Sequence, residues 1–291
     1  MTGYTIFMKK AALLFMCILC AICCFSCKEA SEEASDVNTE TASEDSTSVS
    51  AENKDISKNE ETDSMTTSDK SLKILFIGNS YTYYNDMPQI FEKLATENGK
   101  DLEIFSVTKG SRKLCDFMKN DEYTQKLENL IAEHNFDFCF LQEQSVLPIT
   151  NYDLFLDGVK HLDEKLSDSV DSVVLYATWA RKEGHKTLAD LGLTAEEMTS
   201  KLNIAYKDAA DVIGAGVSPV GLAFENALES GSTELCVNDN SSHPTYAGSC
   251  LAALTHYYTV YGEYPEKTSC LGLDDSVLEV FKNAVTKGTK E

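Results

Sequence analysis

"LFIGNSYTYYNDMPQIFEKL", residues 75–94, decides the fold. An apolar run stops at Gly78-Asn79-Ser80, and beyond Asp86 the apolar residues recur at helical spacing through "MPQIFEKLATENG" (87–99). Gly99 falls at the end of that helix, where glycine is best tolerated. A short apolar strand, a break of small polar residues and an amphipathic helix make one βα unit.

The same unit repeats along the chain. "LKILFI" (72–77), "DLEIFSV" (101–107), "FDFCFLQ" (136–142), "DSVVLYATW" (171–179) and "AGVSPVG" (215–221) read as strands. Helices are predicted over "EYTQKLENLIAEHN" (122–135), "YDLFLDGVKHLDEKLS" (152–167), "TAEEMTSKLNIAYKDAADVIG" (194–214) and "PTYAGSCLAALTHYYTVYG" (244–262). Thr194 and Glu197 have the spacing of a capping box. Parallel neighbours need crossover helices, so this alternation predicts an α/β fold in three α/β/α layers around a mainly parallel five-stranded sheet. Ligands of such sheets lie beyond the carboxyl ends of the strands, where Ser80 falls.

Residues 71–291 form this body, and two segments precede it. Lys9 and Lys10 lead into "AALLFMCILCAICCF", the charged and apolar regions of a signal peptide over residues 1–27. Ser26-Cys27-Lys28 is similar to the lipobox of bacterial lipoproteins, which implies lipidation at Cys27; ordinary cleavage and an uncleaved anchor are the alternatives. Residues 28–70 hold no aromatic residue and thirteen Asp/Glu against four Lys. They cannot bury enough apolar surface to offset ordering, so they are expected to be a disordered tether with a reach of roughly 35 Å. The expected location is the cell envelope, lipid-anchored on the outer side of the cytoplasmic membrane or at the cell surface.

The whole chain carries −22, and the body keeps about −15 of it, which argues against nucleic acid or anionic lipid as partners through bulk charge. Contact with a membrane is expected through the N-terminal anchor only. Ten cysteines divide equally between the leader and the body, at 115, 139, 236, 250 and 270, without CxxC spacing. They predict no metal site and no complete disulfide set.

A serine is a weak nucleophile until a base accepts its proton. Of five histidines, His134, His161, His185 and His256 lie in helices or a charged loop, whereas His243 in "VNDNSSHPTYAG" precedes a helix at the same expected sheet edge as Ser80. Gly78-Asn79-Ser80 together with an Asp/Asn-x-x-His-Pro block resembles the first and last blocks of the SGNH (GDSL-like) hydrolase superfamily, in particular a bacterial branch with GNSxT, LQxxS and HP signatures. The resemblance spans residues 72 to about 262 and implies a flavodoxin-like hydrolase fold with Ser80 as nucleophile and His243 as base. It also implies an oxyanion hole made by the Ser80 N–H, Gly110 in "VTKGSRKL", and an amide from "FCFLQEQS", Gln142 or else Gln144. Where that pattern wants an aspartate to orient the histidine, this chain has Asn240, with Asp239 one earlier. Asn240, a shifted Asp239 or a backbone carbonyl are the three candidates for the orienter.

The implied activity is ester hydrolysis without a cofactor, with acylated carbohydrate or a small ester as substrate and O-deacetylation as the leading form. Trp179 and Arg181 in "YATWARKEGH" are candidates to line a sugar site. A lipoprotein that binds a glycan or peptide without turnover is the alternative.

Overall fold

A computed structural model of the chain describes residues 71–231, 234–237 and 242–290. The leader with Cys27, the tether, Asp239 and Asn240 lie outside the described residues.

Five strands form one parallel sheet in the order β2-β1-β3-β4-β5: β1 (Leu72–Gly78), β2 (Leu102–Thr108), β3 (Phe136–Leu141), β4 (Val170–Tyr176) and β5 (Gly216–Ser218). The chain steps from β1 outward to β2, then crosses back to β3 on the other side. The carboxyl end of β1 is therefore the topological switch point, and Ser80 stands there.

Among the described residues ten α-helices lie between and after these strands: α1 (Ser80–Tyr83), α2 (Met87–Glu97), α3 (Glu122–Glu133), α4 (Leu147–Thr150), α5 (Tyr152–Leu166), α6 (Lys186–Leu191), α7 (Ala195–Ile213), α8 (Val220–Glu229), α9 (Tyr246–Tyr261) and α10 (Asp275–Gly288). Side chains alternate across a strand, so β1 feeds two cores. Ile74 and Phe76 pack with α2, α8, α9 and α10; Leu75 and Ile77 pack with α3, α5 and α7. Phe76 and Phe140 stack at 4.9 Å across β1 and β3. Burying each such ring contributes about 1.5–3 kcal/mol, which is what holds the two layers on the sheet.

The expected three-layer α/β architecture is the observed one. Three details differ. Strand β4 ends at Tyr176, so Ala177–Trp179 are loop. The expected strand over 215–221 shrinks to Gly216–Ser218, because Pro219 occupies the N-cap of α8 and the chain turns into a helix there. Helices α8 and α10, with the short α1, α4 and α6, go beyond the expected pattern; α8 is buried around most of its circumference, packed against α10, α9 and α7, and so lacks a polar face to betray its period.

The five body cysteines are free. Among the described residues no His/Cys/Asp/Glu group is arranged to hold a metal ion, and no helix is long and apolar enough to cross a membrane.

Candidate active site

Ser80 is the first residue of a short helix whose N-cap is Asn79. The Asn79 Oδ1 accepts the Tyr81 N–H at 3.2 Å, which closes the turn at the residue after Ser80. The other end of the same side chain, Nδ2, donates to the Arg112 carbonyl at 3.0 Å, and the Lys109 N–H donates to the Gly78 carbonyl at 3.2 Å. These two bonds tie the nucleophile's turn to the loop that carries Gly110. Glycine is required at 78: a Cβ there would stand 2.7 Å from both the Gln142 Oε1 and the Thr82 Oγ1.

His243 Nε2 lies 2.9 Å from Ser80 Oγ, across 163 residues of chain. Both residues are half-buried, so the pair is open to solvent. The imidazole stacks on Tyr84 at 4.5 Å and 13°. Burial, and secondarily the Arg181 guanidinium, hold its pKa below the ordinary histidine value. The ring is consequently neutral near pH 7 and its Nε2 can accept the hydroxyl proton, which is the requirement for a serine to attack a carbonyl.

Gly110 is exposed, in a turn closed by the Arg112 N–H to the Lys109 carbonyl at 3.1 Å. A Cβ on it would come within 3.2 Å of the Tyr83 hydroxyl, so it stands beside α1, the helix that Ser80 begins.

Gln142 is placed differently from its expected part. It is fully buried, and its Oε1 accepts the Asn79 N–H at 2.9 Å and the Thr82 hydroxyl at 3.0 Å, while its Nε2 donates to the Glu143 carbonyl. The amide props the nucleophile's turn from below instead of facing a substrate. Gln144 accepts the Val146 and Leu147 N–H groups with its Oε1, capping α4.

Trp179 is 1 % exposed. Tyr81 covers one face at 4.4 Å and Phe224 the other at 4.3 Å, both nearly parallel, so neither face is open to a sugar ring. Arg181 donates from Nη1 to the Tyr81 hydroxyl at 2.6 Å and from Nη2 to Ser145 Oγ at 2.7 Å. A cavity of about 540 Å³ adjoins them, lined by Trp179, Arg181, Phe224, Leu235 and Cys236 among others; Ser80 and His243 are not part of its wall.

Sequence reasoning did not reach Tyr84, Asn85 or Glu143. Asn85 and Asp86 both adopt positive φ, 53° and 54°, at a cost of about 1–3 kcal/mol each that the surrounding contacts must offset. The only advance signal was an Asn-Asp pair before Met-Pro, residue types that tolerate the left-handed region. Glu143 is fully buried and accepts the Leu114 and Gln144 N–H groups, and burial raises its carboxyl to about 7.

No family model matches the chain, and no curated protein does. Solved structures do. A protein from Slackia heliotrinireducens described as a candidate SGNH hydrolase superimposes with a TM-score of 0.57 at 27 % identity, over 65 % of this chain and 99 % of its own. A DUF4886 family protein from Bacteroides uniformis reaches 0.65 at 19 % identity, over 76 % of this chain and 95 % of its own. The fold is that of the SGNH hydrolases. Within it, the Ser80–His243 pair lies at the carboxyl rim of the sheet, at the switch point.

Proposed function

We propose that this protein is a serine esterase. One observation carries the reading: a half-buried serine hydroxyl and a half-buried imidazole, 2.9 Å apart at the sheet's switch point. Similarity to a structure described as a candidate SGNH hydrolase supports it.

In this reaction Ser80 Oγ attacks the ester carbonyl while His243 Nε2 takes its proton. The backbone N–H groups of Ser80 and Gly110 are the proposed donors to the oxyanion, and each such donor is typically worth about 2.7–4 kcal/mol of transition-state stabilisation. His243 then protonates the departing alcohol, and water, activated by the same imidazole, releases the acyl group. Gln142 serves by holding the Asn79 N–H, and through it the Ser80 turn. Every step uses a side chain or N–H of this chain, so the proposal involves no cofactor. Asn240, Asp239 and a backbone carbonyl remain the three proposed orienters of the imidazole.

The proposed substrate is an acylated carbohydrate, cleaved by O-deacetylation, and the proposed location is the cell envelope, with Cys27 lipidated and residues 28–70 as tether. The leader sequence and the acidic tether support this location. Bulk negative charge disfavours nucleic acid as a partner. Hydrolysis of p-nitrophenyl acetate and release of acetate from a panel of acetylated glycans test the activity. Turnover that disappears in Ser80→Ala is the expected result; folded protein without turnover on any ester supports the binding lipoprotein instead. Radiolabelled fatty acid incorporated by the wild type and absent from Cys27→Ala tests the anchor.

A further inference from the structure

Two contacts, made by residues far apart in the chain, hold the carbonyl groups on either side of His243. The Trp179 indole N–H donates to the Ser242 carbonyl at 3.0 Å. The Asn85 side-chain amide donates to the Pro244 carbonyl at 3.0 Å and to Ser249 Oγ at 2.9 Å. Ser249 in turn donates to the Tyr84 carbonyl at 3.2 Å, closing the link between α9 and the segment that follows α1.

We infer that Trp179 and Asn85 are positioning residues: a two-point clamp that sets the imidazole of His243 on the hydroxyl of Ser80. The inference rests on the esterase reading and says how that site keeps its geometry.

The argument starts from the base's own segment. Its described residues are tied to one another by the Thr245 N–H to the Leu235 carbonyl at 2.8 Å and the Val237 N–H to the His243 carbonyl at 2.9 Å. Those two bonds lie within the base's own segment. Contacts that join it to the nucleophile's side of the molecule come from both clamp residues. Trp179 stacks on Tyr81, the residue next to Ser80, so one indole touches the nucleophile's helix with its face and the base's segment with its edge. Asn85 directly follows Tyr84, whose ring stacks on His243.

The backbone at Asn85 agrees with this role. A non-glycine residue in the left-handed region is costly, and here two stand in succession immediately after the nucleophile's helix. That turn is what brings the Asn85 amide against Pro244. Trp179, for its part, is nearly inaccessible and stacked on both faces, so its N–H has little freedom to point elsewhere. A shift of about 1 Å between reacting groups can cost on the order of a hundredfold in rate, so small contacts on the flanking carbonyls can control turnover.

The test separates the N–H from the ring. Trp179 is the sole tryptophan, so replacing it with benzothienylalanine, or with Phe, deletes the N–H while keeping an aromatic layer between Tyr81 and Phe224. Asn85→Ala removes the second contact. Each variant is expected to lower kcat for p-nitrophenyl acetate by about tenfold or more with KM changed little, well below its melting temperature. The His243 imidazole resonance, followed by NMR, is expected to broaden or move toward that of an unconstrained histidine in both. A lower melting temperature with kcat and the resonance unaltered would overturn the clamp and leave the esterase reading standing. A wild type that folds but turns over no ester sinks the esterase reading, and the imidazole resonance still decides whether the clamp exists.

Discussion

Among the described residues stand two serine–histidine pairs of nearly the same length and opposite circumstance. Ser80 Oγ and His243 Nε2 are 2.9 Å apart; Ser218 Oγ and His256 Nδ1 are 2.8 Å apart. The second pair is completely buried, with His256 packed among Phe76, Phe140 and Tyr176 and its Nε2 without a partner among the described residues. Burial there drives the imidazole down to about 3, so it stays neutral at all ordinary pH values and no substrate can reach its serine. Distance does not make a nucleophile. Access, and an imidazole that can still become charged when it takes a proton, distinguish the rim pair from the core pair.

The sharpest way to break this comparison is to remove each hydroxyl in turn. Ser80→Ala should lower esterase turnover by about a thousandfold or more, because the nucleophile itself is gone. Ser218→Ala should leave turnover within about twofold, since the two sites share no direct contact. It should instead lower the melting temperature by several degrees, as a buried imidazole left without its partner costs roughly 1–3 kcal/mol. Steady-state kinetics and calorimetry on the two variants give both numbers. A large kinetic loss in Ser218→Ala would dissolve the distinction.

Glu143 extends the contrast to a carboxyl. Its folded pKa of about 7 stands above the unfolded value, so the protonated form fits the fold and ionisation opposes it. Its contribution to stability is fully present below about pH 4.5 and is lost as pH rises through about 7. Thermal melts of the wild type should fall across that window with a slope that Glu143→Gln flattens. Equal slopes in the two proteins would exclude a buried, titrating Glu143.

The smallest expected effect concerns the rim imidazole. Because the pKa of His243 is lowered, the acid limb of kcat/KM should lie below that of an ordinary histidine. Arg181 is the second cause of the lowering, after burial, so Arg181→Gln should move the limb upward. An unmoved or downward limb would remove Arg181 from the electrostatics of the site.

The five strands and the rim position of Ser80 were legible because buried parallel strands are short apolar runs, and because a glycine-asparagine-serine break between strand and helix has few other uses. The pairing with His243 was legible through topology and family resemblance together. Gln142 was misread for a physical reason: an amide just past a strand can donate into the site or accept from beneath it, and the choice is made by the Asn79 N–H, 63 residues away, which composition does not reveal. Trp179 was equally ambiguous until its two stacked neighbours were in place. Asn85 was silent because its value lies in a left-handed backbone turn and in Pro244, 159 residues downstream.

The central claim is that the rim serine, and not the core serine, is the reactive one. A fluorophosphonate probe followed by peptide mass spectrometry tests it directly. The account predicts one adduct, on Ser80, lost in Ser80→Ala, slowed in His243→Ala and retained in Ser218→Ala. An adduct on any other residue, or a folded protein that takes up no probe, would contradict it.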